Sequence, residues 1–217
     1  MPLANIHATF EGDLIEPTRV FEELATKKSF TDARDFTTED LCLLEGVLSR
    51  IWQAWCRFCR ETIMESCVGT TDLSGPVAGL ATAISMPHVS AAAVQVKNRQ
   101  RVTWVGQNTV LRMEPTWGSI DALIDIIRYL APTNAAKLNG MCAVASPSAK
   151  VLQTARNAAA HDNTQTLADL LQLGTAYTTF PTNHACQSLF WIEAATGGYL
   201  LPQAVEDLKD AATLAVI

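Results

Sequence analysis

An arginine and a histidine stand five residues apart in "RNAAAH", Arg156 to His161, with Asn157 directly after the arginine. A guanidinium offers a rigid fork of N–H donors that matches a phosphate, and it stays charged at any physiological pH. An imidazole gives or takes a proton near neutrality. Together the two groups could stabilise negative charge and move a proton, as a catalytic pair does. The spacing alone does not demand this chemistry. An arginine near a helix end also caps carbonyls or forms a salt bridge, and a histidine there serves as a C-terminal cation.

The surrounding residues place the pair near the end of a helix. Ser146 reads as an N-cap with Pro147 at the first helical position. Val151, Leu152 and Ala155 supply a core edge, and Asp162-Asn163 reads as the stop. Thr164 then caps a further helix, with Leu167, Leu170 and Leu171 facing in and Gly174 ending it. Five residues of ideal helix leave Arg156 and His161 about 140° apart. They therefore do not share one face of a straight helix. Either the imidazole swings back where the helix ends, or both belong to a surface that wraps that end.

Other elements must position this helix. The longest periodic stretch opens at Thr37 or Thr38, with Glu39 and Asp40 in its first turn. Leu41, Leu44, Leu48, Ile51, Trp55, Phe58 and Thr62 follow a three-to-four spacing, widened by Val47 and Trp52, and predict a helix from about 38 to 66 closed near Gly69. Trp52 and Trp55 are read as core residues. Further helices are expected over "HVSAAAVQVKNR", over "WGSIDALIDIIRYLAP" with Ser119 as N-cap, and over "NHACQSLFWIEAATGG" and "PQAVEDLKDAATLAVI". "TNAAKLNGMCAVA" reads as a short helical turn or two. The fold expected is all-α, a bundle of about five to seven helices, with a small β-hairpin near 102–112 as an optional embellishment. Residues 1–36 read as an irregular N-terminal arm holding one short helix, and residues 37–217 as the helical domain.

Composition excludes several classes. Hydrophobic residues make up 48% of 217 and charged residues 18%, which rules out a disordered chain. No apolar run reaches the roughly 18 residues of a membrane span, and no secretory leader opens the sequence, so a cytoplasmic protein with no membrane partner is expected. The net charge is -6, so any nucleic-acid contact must be local. "KNRQR" is the densest basic patch, and Lys97, Arg99 and Arg101 are the candidate RNA-binding residues, against a solvated face as the plainer alternative. "CRFC", Cys56 to Cys59, lacks the second pair of a zinc site and the preceding strand of a redox motif, so it reads as packing. No metal site is expected, and no nucleotide-binding loop or hydrolase elbow is present. His184 and His88 read as capping or surface residues at helix starts.

"RNAAAH" resembles the R-x4-6-H signature of the HEPN superfamily of small α-helical proteins. The polar residue after the arginine and the setting in a late helix of a bundle fit the same pattern. The motif covers about 15 residues, and the helix pattern from about 38 to 200 is compatible with it. The resemblance implies a metal-independent endoribonuclease of bacterial antiphage defence or toxin–antitoxin systems, working as a homodimer with two motifs facing across a cleft. Arg156 would then bind the scissile phosphate, His161 would transfer the proton, and Asn157 would orient the phosphate or hold the histidine. The products would carry 2′,3′-cyclic phosphate ends, with no metal or other cofactor. RNA and a second copy are the implied partners, with an effector or antitoxin protein as a further candidate. One branch of the family carries a tyrosine two residues after the histidine, which a partner modifies. Here Asn163 occupies that position, so that scheme is not expected. Two other readings stay open: a non-catalytic HEPN-like binding subunit of a larger defence complex, and an unrelated helical interaction protein in which the motif is coincidental.

Overall fold

The computed structural model describes residues 1–27, 29–83, 85–104, 111–161 and 163–217. Among them are seven α-helices: α1 (Leu3–Lys27), α2 (Thr38–Val68), α3 (Met86–Lys97), α4 (Ile120–Leu130), α5 (Ala135–His161), α6 (Thr164–Leu173) and α7 (Leu200–Val216). Two short antiparallel pairs accompany them, β1 (Thr70–Asp72) with β2 (Gly75–Val77), and β3 (Tyr177–Thr178) with β4 (Ile192–Glu193). The chain is all-α, and none of these helices is long and apolar enough to cross a membrane.

The chain divides into two compact units. One comprises residues 1–11, 55–146 and 209–217, and the other residues 12–54 and 147–208. In the first unit, Phe10 packs its ring 4.8 Å from Phe58, with Trp55 6.0 Å from Phe10. Trp55 also donates its indole N–H to the Gly118 carbonyl at 3.2 Å, which satisfies the one polar atom of a fully buried ring. The end of α2 is buried on every face from Thr62 to Cys67, as a helix at the centre of a core must be. It stops at Gly69, whose φ of 111° only glycine adopts cheaply. In the second unit, Phe190 gathers Phe21, Phe30, Phe36 and Tyr199 at centroid distances of 4.6, 4.3, 5.5 and 5.3 Å. Trp52 and Trp55 are both core residues, as their spacing predicts.

Several expectations need correction, among them Leu171, which is exposed rather than facing in. Residues 1–36 are not an irregular arm, because α1 runs for 25 residues through Pro17. Leu3, Ile6, Phe10, Leu14, Pro17, Phe21 and Leu24 are buried at three-to-four spacing, and that burial offsets the roughly 3 kcal/mol an internal proline costs. Likewise Ser146 and Pro147 do not open a helix. The chain from Ala135 to His161 is one helix with Pro147 inside. Leu138, Met141, Cys142 and Ala145 are buried before the proline, and Ala149 and Leu152 after it, so packing on both sides holds the helix together. "NHACQSLFWIEAATGG" forms a 3-10 turn over Ala185–Phe190 followed by β4, rather than an α-helix. Finally, α6 is capped by Asn163, whose side chain accepts the Thr166 N–H at 2.9 Å, one residue before the expected cap. Of the hairpin expected near 102–112, residues 105–110 lie outside the described residues. Leu111–Met113 is a 3-10 turn, and the small hairpin of this unit is instead β1–β2.

Candidate functional site

Arg156, Asn157 and His161 all lie in the second unit, on the last turns of α5. The buried face of this stretch is Val151, Leu152, Ala155 and Ala158. Ser148 pins it to α7 by donating its hydroxyl to Asp207 at 2.5 Å. Arg156 follows a buried position by one residue, so it sits at the edge of the buried face and is half-buried. His161 is the last helical residue and is exposed, and Asn157 is half-buried. Asp162, half of the expected stop, lies outside the described residues, but the helix does end at His161.

Arg156 lines an open cleft of about 320 Å³ together with Ala159 and Ala160 of α5 and Glu45, Gly46 and Ser49 of α2. Small residues make this opening. A Cβ built on Gly46 would meet no atom within 4 Å, so the glycine leaves space that no neighbouring side chain fills. The guanidinium has one weak contact, from Nη1 to Asn157 Oδ1 at 3.4 Å. Among the described residues it has no carboxylate partner. The nearby carboxylate is already engaged: Glu45 Oε1 lies 3.1 Å from His184 Nε2. His184 Nδ1 accepts the Cys186 N–H at 3.2 Å, which leaves the ring proton on Nε2, facing Glu45. His184 is thus the cap of the 3-10 turn, as expected, and it also engages Glu45, whose carboxylate remains in the cleft lining. A half-buried, permanently charged fork that touches no carboxylate among the described residues, beside an open cleft, is a competent receptor for a phosphate or carboxylate.

Lys97, Arg99 and Arg101 belong to the first unit. Their roles differ. Lys97 donates its ammonium to the carbonyls of Met113 and Glu114, both at 3.1 Å, and so closes the 3-10 turn there. Arg99 stands where α3 ends in a Schellman stop. The Arg99 N–H reaches the Val96 carbonyl at 2.9 Å, and the Gln100 N–H reaches the Gln95 carbonyl at 2.8 Å. That stop requires a left-handed residue, and Arg99 takes it with φ 55°, at a cost of roughly 1 kcal/mol that a glycine would avoid. Arg99 and Arg101 line a second cavity, of about 380 Å³, with Asp125 and Tyr129 of α4.

The remaining candidates are structural. His88 is buried at the start of α3, with Nδ1 3.3 Å from the N-cap Ser85 hydroxyl, so of its reading as a capping or surface residue the surface alternative is corrected. Cys59 is fully buried, and burial pushes its thiol well above the usual range. Burial also raises Cys67, Cys142 and Cys186 to about 12. Thiols so far from ionising are neither nucleophiles nor ready metal ligands. Among the described residues no cluster of histidine, cysteine or carboxylate groups could hold a metal ion. Glu45 and Ser49, and at the second cavity Asp125 and Tyr129, escape a reading of sequence because they meet the basic residues only through packing of separate helices. The one local hint is Gly46, a glycine inside a strongly periodic helix. Compared with known protein families, curated proteins and solved structures, the chain matches none.

Proposed function

We propose that the protein is a metal-independent endoribonuclease of the HEPN type, acting as a homodimer in bacterial antiphage defence or as a toxin. One observation carries this reading: a half-buried guanidinium lines an open cleft without a carboxylate partner among the described residues, and an exposed imidazole closes the same helix. In the proposed reaction Arg156 holds the non-bridging oxygens of the scissile phosphate, where charge builds in the transition state. The ribose 2′-oxygen attacks phosphorus, the bond to the 5′-oxygen breaks, and the products are a 2′,3′-cyclic phosphate and a 5′-hydroxyl. His161 takes the proton from the 2′-hydroxyl or delivers one to the leaving oxygen. Asn157 steadies the guanidinium beside it. The two side chains point about 140° apart on one helix, which fits a cleft whose opposite wall comes from a second copy.

A non-catalytic binding subunit of a larger defence complex is the second reading. Glu45 in the same cleft and the net charge of -6 favour it, since both work against a long polyanion. Incubating RNA with the protein in EDTA separates the two. The nuclease reading expects cyclic-phosphate ends from the wild type and a loss of about 100-fold or more in His161→Ala. Intact RNA with a folded, dimeric wild type would reject the nuclease and leave the binding subunit. A strictly monomeric protein at high concentration would count against the dimeric site.

A further inference from the structure

The cavity on the first unit combines four features that a solvated basic face does not need. Arg99 and Arg101 supply two guanidinium groups without carboxylate partners among the described residues. Tyr129 presents an exposed ring, 63% accessible, with the Arg128 guanidinium 6.0 Å from its centroid. Asp125 places a single carboxylate in the same cavity. The turn itself is held in place: Gln95 accepts the Thr103 N–H at 3.0 Å and donates to the Thr103 hydroxyl at 3.1 Å. That clamp fixes the chain around Arg99 and Arg101. Within it Arg99 holds the left-handed position, φ 55°, that the stop of α3 requires.

We infer that this cavity binds one nucleotide unit, with guanine preferred. Its volume, about 380 Å³, falls in the range of small-ligand sites. A base stacks on the Tyr129 ring, a contact open to any base. Arg99 and Arg101 meet the phosphate, and their planar forks suit it. Asp125 accepts hydrogen bonds and, when ionised, donates none, so it favours a base edge made of donors. Guanine offers N1–H and N2–H side by side to one carboxylate. Adenine and cytosine offer one amino group, and uracil one ring N–H. Lys97 takes no part, because its ammonium already serves two carbonyls. The nucleotide comes either from single-stranded RNA or from a free guanosine phosphate. Only the first source rests on the ribonuclease reading, since no residue of this cavity belongs to the Arg156 cleft.

The test uses the full chain carrying His161→Ala, so that binding is read whether or not the protein cuts RNA. Fluorescence anisotropy follows a short labelled oligoadenosine RNA and the same strand with one guanosine, with free 5′-GMP and 5′-AMP as competitors. The guanosine strand is expected to bind about fivefold or more tighter. Tyr129→Ala should weaken it by about tenfold. Arg99→Gly should also weaken it by about tenfold. The same change should raise the melting temperature by about 2–4 °C, because glycine takes the left-handed position freely. Asp125→Asn should keep the adenosine strand bound and remove the guanosine preference. Competition by free 5′-GMP assigns the cavity to the mononucleotide. Binding that needs Arg99 and Tyr129 but resists free 5′-GMP assigns it to the strand. Absence of binding, or affinity unchanged in Arg99→Gly and Tyr129→Ala, would overturn the site, and equal affinity for both strands would overturn the guanine preference.

Discussion

Arg60 on α2 and Arg156 on α5 are both half-buried arginines on long helices, and their surroundings differ completely. Arg60 makes a two-pronged ion pair with Glu114, at 2.7 and 2.9 Å. Glu114 also accepts the Ser90 hydroxyl and the Trp117 indole N–H, so its carboxylate is surrounded by donors. Burial by itself pushes the Glu114 carboxyl up, but those hydrogen bonds from Arg60, Ser90 and Trp117 outweigh it and hold the carboxyl below its ordinary value. Among the described residues Arg156 has only the amide of Asn157, at 3.4 Å. The cost of drawing a guanidinium out of water is offset inside the fold at Arg60. At Arg156 no such compensation is present among the described residues. The contrast separates an arginine that builds the structure from one that the structure presents.

The largest expected effect falls on the satisfied side. Glu114→Ala strands Arg60, Ser90 and Trp117 and should cost about 2–4 kcal/mol in denaturant unfolding. The figure is below that of a fully buried pair because the Arg60 side chain is 32% exposed. The same carboxylate sets a pH dependence. Its folded pKa is depressed, so its contribution is complete above the ordinary value of 4.5 and is lost as the pH falls through the lower folded value. Asp72 behaves alike: burial raises it, while Lys137 and the amides of Ser74 and Gly75 outweigh that and lower it below 3.8. Acid unfolding below about pH 4 should therefore be steep in the wild type and shallower in Glu114→Ala, read by far-UV circular dichroism.

A smaller effect sharpens the presented side. Gly46 has open space where a Cβ would go, in the interior of a helix. Gly46→Ala should then stabilise the chain by about 0.5–1 kcal/mol with the cleft still open, whereas Gly46→Phe should fill the cleft and block any ligand of Arg156. A destabilising Gly46→Ala would mean that the cleft is closed in solution.

Much of this architecture is legible in the amino-acid sequence, and the failures have a common cause. α2 and α4 follow from uninterrupted three-to-four spacing and clear first turns. α1 and the continuity of α5 do not, because Pro17 and Pro147 are strong local stop signals that burial on both sides overrides. The stretch over Ala185–Phe190 reads as an α-helix in sequence but forms a 3-10 turn with all six residues buried. A reciprocal cap between His184 and Gln187 opens it, and it ends where Trp191 turns extended. At the candidate site, the helix end bearing Arg156 and His161 is visible in sequence because its signals are local. The cleft is not, since Glu45, Gly46 and Ser49 reach it through packing of α2 against α5 within the second unit. Nor does sequence distinguish Lys97, committed to two carbonyls, from Arg99 two residues later.

The most direct measurement pairs two readouts on Arg156→Ala: the single-turnover rate of RNA cleavage in EDTA, and the melting temperature of the same preparation. A presented arginine predicts a rate lower by about 100-fold or more, with the melting temperature within about 2 °C of the wild type. An unchanged rate, or a collapse of the melting temperature that accounts for the lost rate, would contradict the account and make Arg156 a second Arg60.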